Sequence, residues 1–110
     1  MVRWTATVEI RPQPNYYVAM FLTRFKSMEE VRAKAPEAIA EHISRSNELR
    51  RRGKLLMAGA FRNDTEEPVT TMGVFYSRED AEEYAKGDPF VLNGMVSQWH
   101  IKEWANILRE

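Results

Sequence analysis

The chain contains no cysteine. That absence excludes disulfide staples, thiolate metal sites and a cysteine nucleophile, and it fits a cytoplasmic location. Excess charge of either sign is missing too, since 16 lysines and arginines balance 16 aspartates and glutamates. A chain without surplus cations has little with which to displace counterions, so neither nucleic acid nor an anionic membrane is expected as a partner. No apolar run approaches the roughly 20 residues that span a bilayer. The N-terminus also lacks the basic-then-apolar pattern of a secretory signal, because Arg3, Glu9 and Arg11 interrupt it. Gly87 and Gly94 flank an elbow rather than a strand-to-helix turn, so no phosphate loop and no nucleotide cofactor are read. The two histidines have no clustered carboxylates around them, and no metal is assigned.

What remains is an ordinary globular composition in one domain. Hydrophobic residues make up 44% and charged residues 29% of 110, enough for a modest single core. Residues 1–15 read as an N-terminal extension in which Trp4, Ala6, Val8 and Ile10 alternate with polar neighbours, as in a half-buried extra strand. Pro12 and Pro14 end it. Tyr16–Arg24 is apolar nearly throughout and suits a strand covered on both faces. Ser27 and Glu30 form a capping box for a short helix from Met28 to Lys34, which Pro36 stops by disfavouring helical geometry at Ala35.

Pro36 then opens the main helix. Its stripe is Ile39, His42, Ile43, Ser46 and Leu49, while Glu37, Glu41, Arg45, Glu48 and Arg52 occupy the other faces. Gly53 is the expected left-handed stop. Arg50, Arg51, Arg52 and Lys54 cluster where cations complement a helix C-terminus, which explains them without a nucleic-acid ligand. Lys54–Phe61 and Val69–Tyr76 read as hairpin strands, and the small residues Ala58, Gly59 and Ala60 leave room for a helix, a ligand or another backbone. Ser77 caps a second helix with Ala81, Tyr84 and Ala85 inward, ended by Gly87. Met95–Ala105 alternates as the last strand, with Met95, Trp99 and Ile101 on one side and Val96, Gln98, His100, Lys102 and Trp104 on the other.

Leaving the first strand aside, the order is βαββαβ. That predicts an α+β, ferredoxin-like fold: a four-stranded antiparallel sheet with two helices on one face. Aromatic and aliphatic residues on both sides of the strands, among them Tyr16, Phe21, Phe75 and Trp104, require a cover for the second face. A second copy of the same sheet is the simplest cover, giving a homodimer.

His42, the run Gly53-Lys54-Leu55-Leu56-Met57-Ala58-Gly59-Ala60-Phe61, Ser77–Glu82 and the elbow Asp88-Pro89-Phe90-Val91 with Gly94 together resemble the YciI-like (YCII-related) family. The resemblance covers residues 16–105, within a domain taken as 16–110, and implies a dimeric α/β barrel. Many members carry an arginine three residues before the helix histidine, where this chain has Ile39. The resemblance also implies that His42 and Asp88 are an active-site pair acting on a small organic molecule, without cofactor, by isomerisation, elimination or dehalogenation of a cyclic or aromatic acid or a phenol. The chemistry is sound, because a histidine titrates near neutrality and a neighbouring carboxylate orients its ring, so the pair can take a proton and return it. Other readings stand beside this one. A histidine on an inner helix stripe also serves as a core residue. Asp88 before Pro89 also serves as the cap of a short helical turn. The whole chain then reads as a non-catalytic ligand-binding or accessory module. A cofactor-free oxygenase is a further option on this fold. His100 is placed on the barrel face, where it lines a pocket or is a solvated or interface histidine.

Overall fold

The computed structural model describes residues 15–62 and 68–108. The strand read over Trp4–Ile10 lies outside them. The elements run β1 (Asn15–Thr23), α1 (Met28–Lys34), α2 (Pro36–Arg51), β2 (Leu55–Ala60), β3 (Thr70–Phe75), α3 (Arg78–Gly87), α4 (Pro89–Leu92) and β4 (Val96–Ala105). All strand pairs are antiparallel and the sheet order is β2-β3-β1-β4. This is the ferredoxin-like split βαβ arrangement, with β2 and β4 at the edges.

Local chemistry sets the helix ends. Ser27 Oγ accepts from Glu30 N at 3.1 Å, and Ser77 Oγ accepts from Asp80 N at the same distance. The Glu30 carboxylate reaches back one residue further than a standard capping box, to Lys26 N at 2.7 Å. That bond, followed by Lys34, holds the Glu30 carboxyl below its ordinary value. Pro36 sits in the first turn of α2, and the left-handed φ of +75° at Gly53 releases the chain into β2.

Opposed strand residues share a face, so the register fixes which side chains lie beneath the helices. Tyr17, Ala19 and Phe21 of β1 oppose Phe75, Gly73 and Thr71 of β3 and Glu103, Ile101 and Trp99 of β4. On this face Ala81, Tyr84 and Ala85 of α3 close over Phe21, Leu55 and the fully buried Phe75. A second cluster, Phe25, Val31, Ala35 and Ala38, fixes α1 and the start of α2.

Val96 departs from the alternation expected of β4. The register shifts between Leu22 and Thr23, so that Gln98 opposes Leu22 while Val96 opposes Thr23. The bulge moves Val96 to the helix face, where it packs, like Trp99 and Ile101, against the cluster around Phe21 and Tyr84. The opposite face presents Tyr16, Met20, Met57, Met72, Tyr76, His100 and Trp104, and Trp104 is 60% exposed. No helix among the described residues is long and apolar enough to cross a membrane.

Candidate functional site

His42 and Asp88, 46 residues apart in sequence, meet where α2 crosses the junction of α3 and α4, with Nδ1 2.7 Å from Oδ1. Asp88 ends α3 and caps α4. Its two oxygens divide the work. Oδ2 accepts from the backbone amides of Phe90 at 3.0 Å and Val91 at 3.4 Å, leaving Oδ1 for the imidazole. Pro89 at the first position of α4 has no amide hydrogen to satisfy there. A carboxylate oxygen accepts only, so the neutral ring carries its hydrogen on Nδ1 and keeps the lone pair on Nε2.

Asp88 is buried, at 3% exposure. It lies behind His42, whose side chain is 31% exposed, because capping α4 turns its carboxylate inward.

In front of the pair lies a cavity of about 330 Å³, bounded by α2, the sheet and the α4 elbow. Ala58 and Ala60 of β2 form part of its wall, so the small residues of this strand make room for a cavity. Ile43, expected on the core stripe, is half exposed and lines this cavity instead.

Tyr84 and Ser46 complete the group and were not singled out as site residues from the sequence. Ser46 Oγ and the Tyr84 hydroxyl are 3.1 Å apart, and the hydroxyl lies 3.4 Å from each ring nitrogen of His42. The usable signal was spacing: Ser46 follows His42 by one turn of α2, and Tyr84 precedes Asp88 by about one turn of α3. Burial pushes the Tyr84 phenol from 10.0 up to about 12; the Asp88 charge reinforces this, and the Ser46 hydrogen bond and Arg45 charge oppose it. Tyr84 is therefore a hydrogen-bond donor, not a base, at neutral pH.

Arg45 was placed on a solvent face but is half-buried. Its guanidinium donates to Tyr84 O at 3.0 Å and Glu83 O at 3.1 Å and lies 5.2 Å from the Tyr84 ring centroid. A long side chain can cross from one helix to the free carbonyls of the next, which face alternation does not register.

A larger, open groove of about 990 Å³ runs along the outer side of α2 and α3. It holds the ion pairs Arg51–Glu48 and Lys54–Asp80 but neither His42 nor Asp88, so the smaller cavity is the candidate site. His100 opposes Met20 on the sheet face away from the helices and does not line this cavity. Among the described residues no three histidine, aspartate or glutamate side chains group as metal ligands do.

A model of the YCII-related domain matches residues 18–105, and the chain belongs to that family. No curated protein matches it. Among solved structures it is similar to 5-chloro-2-hydroxyhydroquinone dehydrochlorinase from Burkholderia phenoliruptrix AC1100 in complex with 2,5-dihydroxybenzoquinone. That pair has a TM-score of 0.57 at 14% identity, with 81% of this chain and 92% of that chain covered. It is also similar to a dimeric ferredoxin-like protein from an uncultured marine organism, with a TM-score of 0.50, 13% identity, and 89% and 92% covered. A third similar structure is Rv0793 from Mycobacterium tuberculosis, with a TM-score of 0.50, 11% identity, and 88% and 98% covered. At these identities the likeness establishes the fold alone, a ferredoxin-like one.

Proposed function

We propose that this protein is a cofactor-independent enzyme in which His42 and Asp88 transfer a proton on a small organic molecule held in the cavity. The observation that carries this reading is the 2.7 Å contact from Oδ1 to Nδ1 beside a cavity that His42 lines. It leaves Nε2 as the basic nitrogen. Nε2 takes a proton from a substrate carbon or oxygen, Asp88 holds the imidazolium through Nδ1–H, and the same nitrogen returns the proton at a second position or to a leaving group. Isomerisation, elimination and dehalogenation all follow that course. The dehydrochlorinase among the similar structures supports the last two as reactions to try first.

The test is a screen of hydroxylated and halogenated ring compounds in deuterated water, run with the native chain, His42→Ala and Asp88→Asn. Deuterium incorporation or halide release that depends on both residues is the expected result. Turnover that survives both substitutions would sink the reading.

A second reading, a non-catalytic ligand-binding module, is favoured by the cap: the bonds from Oδ2 to Phe90 and Val91 give Asp88 a structural role of its own. Saturable binding without turnover, unchanged in His42→Ala, would select it. In either case the functional unit is proposed to be a homodimer, with the open sheet face around Met57, Tyr76 and Trp104 covered by a second copy.

A further inference from the structure

We infer that the cavity beside His42 takes an uncharged, mainly apolar molecule of one or two rings and turns away carboxylates and phosphates. This rests on the cavity being the substrate site, and it adds the charge class of the ligand.

Charge decides first. The formal charges on the cavity wall belong to the His42–Asp88 pair. With a neutral imidazole the pair carries one negative charge; with a protonated imidazole it carries none. In neither state does it offer a surplus cation. Among the described residues lining the cavity there is no lysine or arginine. The arginine one turn beyond His42 on α2, Arg45, lies outside this lining and directs both terminal nitrogens to the carbonyls of Glu83 and Tyr84. The position one turn before His42 is Ile39, which lines the cavity and packs against the Phe25 cluster. An anionic ligand would give up its water for an apolar wall and meet the Asp88 carboxylate, with no surplus positive charge in return.

Shape and polarity fit a ring compound. Phe21, Phe25, Phe90 and Tyr84 line the space, and the pairs Phe25–Phe90 and His42–Phe90 meet edge to face. A flat guest between them finds both ring edges and ring faces. An apolar protein cavity of about 150 Å³ is enough to bind benzene. The volume of about 330 Å³ here therefore admits a substituted ring or a fused pair. Ser46 and Tyr84 hydrogen-bond to each other, which leaves one hydroxyl hydrogen of the pair to donate to a carbonyl or hydroxyl oxygen of the guest without asking it to carry charge.

The experiment uses the full chain at neutral pH and two pairs of probes that differ in charge: benzamide with benzoate, and 4-cresol with 4-methylphenyl phosphate. Binding is read by NMR from the ring resonances of His42 and Phe90. Benzamide or 4-cresol should shift them saturably, and each anionic partner should bind at least about tenfold more weakly. Ile39→Arg should shrink or reverse that ratio. Because Ile39 packs against a core cluster, Thr71→Lys, which enters the same cavity from β3, serves as a second variant. An anion that binds as tightly as its neutral partner would overturn the inference, as would the absence of saturable binding by either neutral probe at millimolar concentration. A folded cation variant that leaves the ratio unchanged would overturn charge as its cause. These readouts need no turnover. Activity that ignores His42→Ala would sink the proton-transfer reading alone, and His42-dependent turnover of an anionic substrate would sink this inference alone.

Discussion

The guanidinium of Arg45 occupies the space that a side chain on residue 87 would need: a Cβ on Gly87 would come within 2.6 Å of Arg45 Nη2. Gly87 is the last residue of α3, next to Asp88, and Arg45 lies one turn past His42. The contact therefore ties together the same two segments that supply the imidazole and the carboxylate. Gly87→Ala should displace Arg45 from the carbonyls of Glu83 and Tyr84 and cost about 1 kcal/mol, the typical worth of a hydrogen bond. In an Arg45→Met background the sign should reverse, because only the helix preference for alanine over glycine, up to about 1 kcal/mol, remains. Urea denaturation of the four proteins in this cycle reads both numbers. Equal effects in both backgrounds would show that the two residues are not coupled.

Asp88 can be divided experimentally in the way its two oxygens are divided. Asparagine keeps a good helix cap but loses the carboxylate, whereas alanine loses both. Asp88→Ala should lower stability by about 1–2 kcal/mol and Asp88→Asn by less than half of that. Both should abolish any proton transfer that depends on His42. Chemical denaturation with a turnover assay separates the two roles. Full activity in Asp88→Asn would leave the residue only its cap.

The buried phenol of Tyr84 sets an alkaline limit on the fold. Its folded-state value of about 12 lies above the ordinary 10.0, so the neutral form is the one that the folded chain prefers. The stabilisation from this group is fully present below about pH 10 and is lost as the pH rises through about 12. A shift of that size corresponds to roughly 2–3 kcal/mol. Tyr84→Phe should flatten the loss of stability over this window, while giving up about 1 kcal/mol at neutral pH with the Ser46 hydrogen bond. Melting temperatures across the alkaline range, native against variant, test it. Parallel curves would remove Tyr84 as the cause.

Trp104 should report assembly. It opposes Tyr16 on the sheet face away from the helices and is 60% exposed in the single subunit. Sedimentation velocity is expected to show a dimer for the native chain and a weakened dimer for Trp104→Asp, with quenched tryptophan emission tracking the change. A native monomer at micromolar concentration would refute the second copy as the cover.

Much of the fold was legible because its signals are local. Ser27, Ser77, Pro36 and Gly53 each mark an end by their own chemistry, and all four mark it in the structure. What escaped depends on neighbours that the sequence does not name. Val96 changes face only because one residue of β4 bulges opposite Thr23, and alternation along one strand cannot reveal a bulge before its partner is known. Arg45 escaped because its contacts lie at the end of a flexible stem on another helix. The candidate pair itself was reached by resemblance. From spacing alone His42 remained a stripe residue and Asp88 a cap, and Asp88 does cap α4.

The small side chains of β2 bear on how such a protein changes. Ala58 and Ala60 bound the cavity from an edge strand, on the far side of it from the junction that holds His42 against Asp88. Capacity and the proposed acid–base pair therefore sit on separate pieces of the molecule. Swapping either alanine for a larger aliphatic residue is expected to rescale the space offered to a guest without touching that pair. The bulk of an edge strand sets the one, and the meeting of two helices holds the other.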